Sequence, residues 1–426
     1  MTQQPQRLWH PFADMARVAG RELVLVRGEG AWLEDDRGRR YLDGAAGLWY
    51  CNVGHGRAEL ADVAAAQMRD LAAFSTFGAY ANRPALELAD RLAEIAPMDD
   101  AAVFLTTGGS DAVETAGKIA RRYWWLRGEP QRTIVVARSE AYHGMNAYGT
   151  SLAGIRPNAE GWGPLVTDVL HVPHDDAAEL ERVLAEHGDR VAAFIGEPVL
   201  GAGGVIPPAD GYWEHVQRAC AEHGTLLIAD EVVTGYGRTG PWFACERFGI
   251  DADMVTTAKG LTSGYMPVGA VLCGPRVRDV LWSDTAGVFR HGYTYSGHAA
   301  GCAVALRNLE IIEREGLRDR VRALEPVLAD ALASLDALPL VDETRSVGLL
   351  GAVQLSAEAR AEDPGLADRV AARLQEEGVL VRALVGHSLQ ISPPFVIAED
   401  EIELLADRIR DVLEREAAGL RTGVAA

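Results

Sequence analysis

Short apolar runs alternate with amphipathic helices over residues 57–296, and this alternation constrains the fold more than any other feature of the chain. The predicted helices cover 57–72, a stretch that starts at Asn82, and then 110–127, 176–187 and 210–223. The runs read AVFLTT, TIVVAR, VAAFIG, TLLIAD, MVTTA and VGAVLC. Apolar runs of this length between helices are typical of strands buried on both faces of a mostly parallel sheet. The pattern predicts an α/β fold with a ligand site at the carboxyl ends of the strands.

The two ends of the chain predict a smaller α+β unit. Residues 21–44 read as the antiparallel strands ELVLVRGEG, AWLEDD and RRYLDG, with a turn at 36–38. After residue 296 we predict helices over 297–315, 318–336, 366–378 and 399–416, with strand-like VGLLGAVQLS, LVRAL and SLQIS between them. We therefore expect a large domain over 57–296 and a small domain formed by 1–56 and 297–426.

Charge and composition restrict the class of protein. The formal net charge of the 426 residues is -20, and so acidic a surface repels nucleic acid and anionic membranes. The N-terminus shows no secretion signal, and no apolar run approaches the roughly 18 residues of a membrane span. Five scattered cysteines argue against a disulfide framework or a zinc site. These properties predict a soluble cytoplasmic protein, and no metal is implied.

Lysine is rare in this chain, and one lysine stands at a chemically suggestive place. Lys118 and Lys259 are the only lysines among 41 Lys and Arg residues, so 41 − 2 = 39 are arginines. Lysine can lose its proton and attack a carbonyl, whereas arginine cannot, although chance retention explains either lysine alone about equally well. Lys118 lies in a predicted helix beside Arg121 and Arg122, where a solvated helix face is the better interpretation. Lys259 directly follows the apolar run MVTTA.

The segment Thr106–Asp111, TTGGSD, stands between a predicted strand and a helix. Glycines let the backbone approach an anion, and a helix N-terminus offers free N–H groups and partial positive charge, so phosphate fits here. Ser110 can cap the helix and donate its hydroxyl. The GxxxxGK[ST] spacing of a Walker motif is absent. Taken alone, an ordinary helix cap is the more common explanation.

An acid and a lysine follow two neighbouring strands of the predicted sheet. Asp230 ends the run TLLIAD, where a carboxylate is costly unless it is paired with a cation such as a protonated pyridine nitrogen. Glu231 is the alternative member of the pair with a structural role. Lys259 comes 259 − 230 = 29 residues later, about the length of one strand–connection–strand unit. A lysine in a dry cleft has a lowered pKa and is a better nucleophile.

Three weaker motifs follow other strand ends. Tyr142-His143-Gly144 offers an aromatic ring for a cofactor face, although a loop aromatic that covers the core is about as common. Glu197 follows VAAFIG, and residues 292–296 open the next helix as a second possible phosphate contact. A phosphate cup, an aromatic ring, an acid and a lysine at one sheet edge are what a pyridoxal-phosphate (PLP) site requires.

These motifs resemble the class III aminotransferases of PLP fold type I, from about Trp9 to the last helix. The most specific stretch is ADEVVTGYGRTGPWFACERFGIDADMVTTAKGLTSGYMPVGAVL, and GGSDAVETAGKIAR, SEAYHGM, GEPVLGAGGV and GYTYSGH match in order. The resemblance implies a large domain with a seven-stranded, mostly parallel sheet. It also implies that Lys259 forms the Schiff base with PLP and shuttles the proton, and that Asp230 pairs with the pyridine nitrogen.

The resemblance implies roles for further residues around the cofactor. Val232 and Tyr142, the latter beside His143, match the contacts of the two ring faces, and Glu197 matches an acid that orients the ring environment. Gly109 and Ser110 match the phosphate cup, where Gly108 replaces a common serine and removes one hydroxyl. Thr294 matches a threonine that reaches the phosphate of the neighbouring subunit, which implies a homodimer with shared sites.

Within the class, the chain is most similar to ω-transaminases that use pyruvate as the amino acceptor. GLWYCNVGHGR and the arginine of VRALVGHSLQISPPF carry this finer match. Arg382 resembles a mobile arginine that binds a substrate carboxylate, in a segment one residue longer than is usual. Trp49 and Phe77 match pocket-lining aromatics, Phe77 from the partner subunit, and core packing is the alternative for all three residues.

Three other functions stay open at this point. Residues 8–12, LWHPF, resemble the start of the diaminopelargonate aminotransferases of biotin synthesis, which rank second. A PLP aminomutase on the same fold would release no free keto product. A PLP-fold binding module needs no catalytic lysine, so the presence of Lys259 and Asp230 together argues against it.

Overall fold

The N-terminal part of the chain forms a small antiparallel sheet. In the computed structural model, which describes residues 7–422, helix α1 (Met15–Val18) precedes the strands β1 (Leu25–Glu29), β2 (Trp32–Asp35) and β3 (Arg40–Asp43). Asp35 Oδ1 accepts hydrogen bonds from the backbone N–H groups of Arg37 and Arg39 at 2.9 and 2.8 Å and closes the turn between β2 and β3. The predicted antiparallel unit is confirmed.

Three helices lead from this sheet to the large domain. They are α2 (Ala46–Trp49), which is kinked at Gly47 and Leu48, α3 (Ala58–Leu71) and α4 (Arg83–Ile95). The side chain of Asn82 caps α4 by accepting from the N–H of Ala85 at 3.0 Å, with Pro84 in the first turn. An N-cap acceptor followed by proline satisfies the free N–H groups where a helix begins, as the sequence predicts.

The large domain is built on seven strands. They are β4 (Ala102–Thr106), β5 (Ile134–Arg138), β6 (Val169–Val172), β7 (Val191–Gly196), β8 (Leu226–Asp230), β9 (Met254–Thr257) and β10 (Gly269–Cys273). The sheet order is β4-β10-β9-β8-β7-β5-β6, and only β10 runs antiparallel to its neighbours. Strands β5, β7, β8 and β10 are buried along their whole length, as apolar runs in a doubly covered sheet should be. The predicted α/β fold with a mostly parallel sheet is confirmed.

Six helices surround this sheet. They are α5 (Gly109–Leu126), α6 (Ala147–Leu152), α7 (Ala177–His187), α8 (Tyr212–Glu222), α9 (Ala244–Phe248) and α10 (Pro275–Leu281). Short 3₁₀ turns occur at Arg156–Ala159 and Lys259–Leu261.

The C-terminal part adds a third sheet and the longest helix. Its elements are α11 (Ala299–Arg314), α12 (Leu317–Ala333), β11 (Val341–Val347), β12 (Leu350–Leu355), α13 (Ala357–Glu362), α14 (Leu366–Glu376), β13 (Val379–Leu380), β14 (Arg382–Ala383), β15 (Ser388–Ile391) and α15 (Glu399–Thr422). The run VGLLGAVQLS is not one strand, because Gly348 at φ +57° turns the chain between β11 and β12. A Cβ at Gly348 would lie 2.5 Å from the carbonyl oxygen of Arg238, so a side chain has no room there.

The two chain ends meet in the structure. Strand β13 pairs in parallel with β3, with Val379 opposite Leu42, while β14 and β15 join β11 and β12 in the third sheet. Because the two terminal segments share a sheet, they hold one another in place. The division at residues 56 and 296 stays a prediction.

The fully buried Arg238 connects the large domain to both chain ends. Its guanidinium donates to the carbonyls of Leu349 and Pro393 at 3.2 and 2.6 Å and to Asn52 Oδ1 at 2.7 Å. These bonds offset part of the high cost of burying the guanidinium charge. Within residues 7–422, no helix is long and apolar enough to cross a membrane. The cytoplasmic location stays a prediction.

Candidate active site

The acid and the lysine singled out in the sequence lie at one edge of the large sheet. Glu197 follows β7, Asp230 ends β8 and Lys259 follows β9. The register pairs Asp230 with Thr256 of β9, so Lys259 stands three residues beyond the level of Asp230. Neighbouring parallel strands bring their carboxyl ends to the same edge, and the fold therefore gathers these side chains.

The backbone at Lys259 is strained and held by buried amides. Lys259 has φ +40°, a conformation that is uncommon for a residue with a side chain. Asn308 Nδ2 donates to the carbonyls of Gly260 and Leu261 at 2.9 and 3.0 Å. A Cβ at Gly260 would lie 2.3 Å from Asn52 Nδ2, so only glycine fits after the lysine. Such strain persists at functional sites when the surroundings fix it.

The Lys259 amine sits in an environment that favours its neutral form. Burial lowers its pKa from 10.5 to about 8, and the nearby guanidinium of Arg382 lowers it as well. The carboxylates of Asp230 and Glu197 raise the pKa and offset part of this effect. A neutral amine is the nucleophilic form, so an appreciable fraction of Lys259 can attack a carbonyl near neutral pH.

Asp230 is a buried carboxylate with two donors. His143 Nδ1 lies 2.7 Å from Oδ2, and the N–H of Val232 donates to Oδ1 at 3.1 Å. Asp230 is 3% exposed and the side chain of His143 is fully buried. Since each carboxylate oxygen has two lone pairs, Asp230 keeps acceptor capacity for a cationic ring nitrogen.

Glu197 holds the loop that carries Tyr142. Its Oε1 accepts from the N–H of Tyr142 at 3.0 Å and its Oε2 from the N–H of Gly201 at 2.9 Å. Burial raises the pKa of Glu197, while His143 opposes that shift. Burial also raises the pKa of the Tyr142 hydroxyl. The charges of Arg382, Asp230 and Glu197 all act on the Tyr142 hydroxyl, so the residue belongs to the same charged cluster.

The N-terminus of α5 lies open beside this edge. Gly108 caps the helix without any side-chain bond, and the position of a Cβ at Gly108 has no atom within 4 Å. Ser110 does not cap α5 as predicted, because it is already helical. Its Oγ accepts from the N–H of Met145 at 3.1 Å instead. The start of α5 thus has no side-chain cap and is open at Gly108, which suits an anion.

Gly109 and Val232, which are predicted to contact the cofactor phosphate and ring, pack closely together. A Cβ at Gly109 would lie 2.8 Å from Val232 Cγ1, so the absence of a side chain lets Val232 reach the start of α5. Glu231, next to Asp230, is fully buried and accepts from the N–H of Cys245 at 2.6 Å and from the Thr234 hydroxyl. Glu231 therefore has the structural role and Asp230 faces the site.

Trp49 and Arg382 stand beside the lysine. The Lys259 Nζ lies 5.5 Å from the centre of the Trp49 ring, and the Arg382 Cζ lies 5.1 Å from the same ring. Trp49 is 4% exposed, and Arg382 reaches inward from β14, where burial lowers the pKa of its guanidinium. The arginine is therefore a cation within the Lys259 cluster.

Two predicted site residues do not join this cluster within one chain. Phe77 is 54% exposed and packs against Gly292 on a surface groove. Thr294 is exposed in the turn before α11, and no hydrogen bond among residues 7–422 ties it to the cluster. Lys118 lies on α5 and forms an ion pair with Glu114 at 3.0 Å, as a solvated helix face predicts.

Comparison with known proteins places the chain in a family. The model of the family described as "Aminotransferase class-III" matches residues 15–413. This chain belongs to the class III aminotransferases. It is 37% identical to a putrescine–pyruvate aminotransferase of Pseudomonas aeruginosa, covering 96% of this chain and 94% of that one. It is also 37% identical to a diaminobutyrate–2-oxoglutarate transaminase of Halomonas elongata, covering 93% of this chain and 92% of that one.

The structure of the chain is also similar to solved structures of ω-transaminases. The structure aligns with a thermostable (S)-enantioselective ω-transaminase of Thermomicrobium roseum with a TM-score of 0.91 and 39% identity, covering 95% of this chain and 96% of that one. The chain thus has the aminotransferase fold, with its seven-stranded sheet and smaller sheets.

The geometry fits the cofactor that the aminotransferase family implies. PLP needs an acid for its ring nitrogen, a donor-lined cup for its phosphate and a lysine for its aldehyde. Asp230 is buried with free acceptor capacity, the start of α5 offers uncapped N–H groups, and Lys259 has a lowered pKa. These three groups of residues could hold PLP.

Sequence reasoning missed the buried amides that support this aminotransferase site. Asn52 and Asn308 are 1% and 0% exposed; Asn308 fixes the backbone that follows Lys259, and Asn52 donates to the carbonyl of Tyr236 at 3.3 Å and packs against Gly260. Asn52 lies in GLWYCNVGHGR, a segment interpreted only through Trp49. A polar residue on the apolar face of a helix, as Asn308 is in α11, is the one signal that could have indicated a buried role.

Proposed function

We propose that this aminotransferase moves an amino group from an amine or ω-amino acid to pyruvate by a ping-pong reaction that depends on PLP. Membership of the family supports amino transfer, and the relative from Pseudomonas aeruginosa supports pyruvate. The observation that carries the choice of acceptor is Arg382. Among residues 7–422, it is the only cation among the charged groups that act on Lys259.

The single cation near Lys259 in the described part of the chain, the Arg382 guanidinium, can neutralise one carboxylate of an acceptor. The other charges that act on Lys259 are the carboxylates of Asp230 and Glu197. A dicarboxylate such as 2-oxoglutarate would bring a second negative charge toward two acids without a second guanidinium. Burying an unpaired charge is strongly unfavourable, so the site favours pyruvate.

The chain's residues divide the work around the cofactor. When bound, PLP supplies an electron-accepting ring that stabilises negative charge at the donor carbon. Asp230, fixed by His143, would keep the ring nitrogen protonated, and the N–H groups at Gly109 and Ser110 would hold the phosphate. Lys259 anchors the cofactor and then moves a proton from the donor carbon through its Nζ.

Other residues orient the cofactor and the substrate. Val232 and Tyr142 would contact the ring of a bound cofactor, and Glu197 holds the Tyr142 backbone in position. Trp49 lines the substrate pocket, and Arg382 binds the carboxylate of the acceptor. It swings away for an amine that has none.

We further propose a homodimer with shared sites. Thr294 would reach the phosphate site of the partner subunit and Phe77 would line its substrate pocket. Both residues are exposed in one chain, and Phe77 borders an apolar groove of about 680 Å³. A large exposed apolar surface is typical of an interaction site.

A second candidate is a diaminopelargonate aminotransferase. The motif at residues 8–12 favours it, and three of those side chains, Leu8, Trp9 and Phe12, are 62%, 82% and 73% exposed. An exposed apolar segment is available to cover a substrate. Transfer from S-adenosylmethionine to a long keto acid would support this candidate over the first.

The test follows both halves of the reaction in the purified holoenzyme. Taurine, β-alanine, a polyamine and an aryl amine are added singly without acceptor, and bleaching of the visible cofactor band identifies the donor. Pyruvate and 2-oxoglutarate are then compared as acceptors. We expect pyruvate to restore the band and release alanine, with kcat/KM at least tenfold above that for 2-oxoglutarate, and Lys259→Ala to show no band.

The opposite results have clear meanings. A preference for 2-oxoglutarate contradicts the assignment of the acceptor. Isomerised product without a free keto compound indicates an aminomutase, and a bound cofactor that no amine bleaches indicates a binding protein.

A further inference from the structure

The carboxylate of Asp43 holds the start of the turn that leads to Trp49. Asp43 is 1% exposed, and its Oδ1 accepts from the N–H groups of Ala45 and Gly47 at 3.1 Å each. Its Oδ2 lies 2.8 Å from the N–H of Gly47. An aspartate that accepts from backbone N–H groups a few residues on fixes the conformation of the chain that carries them. Asp43 therefore holds the connection between β3 and α2.

His55 adds a further bond to the same carboxylate. Its Nε2 lies 2.8 Å from Asp43 Oδ2, and its Nδ1 lies 3.5 Å from the Sγ of Cys51. An ionised carboxylate only accepts hydrogen bonds, so the Nε2 of His55 carries the proton. Burial raises the pKa of the Cys51 thiol, which stays protonated and can donate to Nδ1. The imidazole thus connects Asp43, before the turn, to Cys51, after it.

The turn between these two contacts is strained. Ala46, Gly47 and Trp49 have φ of +45°, +63° and +61°. This region is uncommon for residues with side chains, and a bulky residue adopts it only where the surroundings fix it. The hydrogen bonds of Asp43 and His55 are the surroundings that enclose this turn. Without them, the backbone is free to relax toward a conformation with negative φ.

Trp49 carries the effect of this turn into the active site. Its ring centre lies 5.5 Å from the Nζ of Lys259, and Trp49 is 4% exposed. Among residues 7–422, the charged groups that act on Lys259 do not include Asp43 or His55. An influence of these two residues on the reacting amine therefore passes through the backbone and the indole ring.

We propose that Asp43 and His55 are positioning residues, which hold the strained turn so that Trp49 stands beside Lys259. This inference rests on the proposed function and deepens it, because it places part of the control over amine binding outside the substrate pocket. Loss of the imidazole removes one donor from the Asp43 carboxylate and breaks the connection across the turn. The indole then leaves its place in the wall of the pocket, although no group that touches the substrate has been changed.

The experiment observes the position of Trp49 in the cofactor-free protein. The nine tryptophans are replaced by 5-fluorotryptophan, and the ¹⁹F NMR signal that is absent from Trp49→Phe is that of Trp49. His55→Leu removes both contacts of the imidazole, whereas His55→Gln returns one N–H donor to Asp43. His215→Leu is the matched control, since His215 Nε2 lies 2.7 Å from the carboxylate of Glu181 on the exposed surface of α7 and α8.

The Trp49 signal should respond to one histidine and not to the other. We expect it to move in His55→Leu, to return toward its wild-type position in His55→Gln and to stay in place in His215→Leu, while the other eight signals keep their positions. Asp43→Asn keeps the size of the side chain but removes one carboxylate acceptor, so it should move the same signal. This milder variant tests the inference even where His55→Leu does not fold.

The kinetic effect should depend on the presence of Trp49. In the holoenzyme, His55→Leu should lower kcat/KM for 1-phenylethylamine about tenfold, because a displaced pocket wall misorients the amine. The same substitution made in Trp49→Ala protein should change that value by less than about twofold, because two residues that act through one contact are not additive.

The outcomes separate this inference from the proposed function. A Trp49 signal that stays in place in both His55→Leu and Asp43→Asn overturns the inference, as does a His55→Leu effect of the same size with and without Trp49. Equal movement of all the tryptophan signals in Asp43→Asn also overturns it, because the role would then be general stability. A Trp49 signal that moves as expected in a protein that transfers no amino group leaves the positioning of Trp49 standing while the proposed function fails.

Discussion

At the scale of single residues, the site depends on charges that oppose one another around Lys259. Burial and Arg382 lower the pKa of the amine, whereas Asp230 and Glu197 raise it. The result is a pKa of about 8, so the neutral, nucleophilic amine is a minor species at pH 7 and the major one at pH 9. The pKa of Lys259 should therefore determine how the rate of cofactor binding depends on pH.

The first prediction concerns PLP uptake by the cofactor-free protein. Below pH 8 the protonated fraction of Lys259 grows, so the uptake rate should fall about tenfold per pH unit, and above pH 8 it should level off. Arg382→Gln removes a cation that lowers the Lys259 pKa, so its plateau should begin at a higher pH. Stopped-flow absorbance over pH 6–10 measures this, with the exposed Arg27→Gln as the control. A plateau that moves to lower pH, or does not move, contradicts the electrostatic assignment.

The chemistry-bearing residues were predictable because each follows an apolar run. Lys259 and Asp230 stand directly after predicted strands, and strand order alone brings them to one edge. Asn52 and Asn308 were not predictable, since they act by filling hydrogen bonds that exist only after the chain has folded around Gly260. Support of this kind depends on tertiary contacts, which spacing does not reveal.

At the scale of elements, the start of α5 differs in one residue from the phosphate cup that is common in the family. Gly108 occupies the cap position where a serine is common, and no hydroxyl helps to satisfy the first-turn N–H groups. The backbone at Gly108 is extended, with φ 173°, and the space around a Cβ is open. A side chain is therefore sterically allowed at this cap.

The second prediction is a gain of cofactor affinity from Gly108→Ser. The new hydroxyl can bond the phosphate or the first turn of α5, so the Kd of PLP should fall about fivefold, or ~1 kcal/mol. Gly108→Ala fills the same space without a hydroxyl and serves as the matched control. Titration of the cofactor-free proteins measures both. If the serine and alanine variants give the same Kd of PLP, the added hydroxyl does not contribute to cofactor binding and the prediction is wrong.

Elements were predicted well where burial was complete and poorly where it was partial. Strands β7 and β8 are wholly buried and appear as uninterrupted apolar runs. Strand β6 lies at the sheet edge, is half-exposed and contains His171, so its sequence shows no such run. The predicted strand VGLLGAVQLS combines the turn at Gly348 with β12, because Leu349 and Leu350 continue the apolar run through the turn, and the polar sequence of β11 gave no strand prediction.

At the scale of the whole molecule, one face exposes apolar side chains that a folded chain normally covers. Phe77, Tyr80 and Val288 are 54%, 65% and 70% exposed beside the apolar groove. Thr294 lies in the same chain segment as Val288 and is also exposed. A partner subunit on this face would cover the apolar groups. Thr294 of this chain would then complete the phosphate site of the partner subunit, as the proposed homodimer requires.

The third prediction tests this sharing by mixing two defective chains. Lys259→Ala abolishes the site of its own subunit, whereas Thr294→Ala should weaken PLP binding in the neighbouring subunit. In a mixed dimer, the subunit that retains Lys259 receives an intact Thr294 from its partner. Heterodimers are isolated by two different affinity tags, and PLP binding is measured at limiting PLP. Per intact Lys259, the heterodimer should bind PLP with the affinity of wild type and more tightly than the Thr294→Ala homodimer. If Thr294 acted within its own chain, the heterodimer would show the weak affinity of the Thr294→Ala parent, and the site would be complete in one subunit.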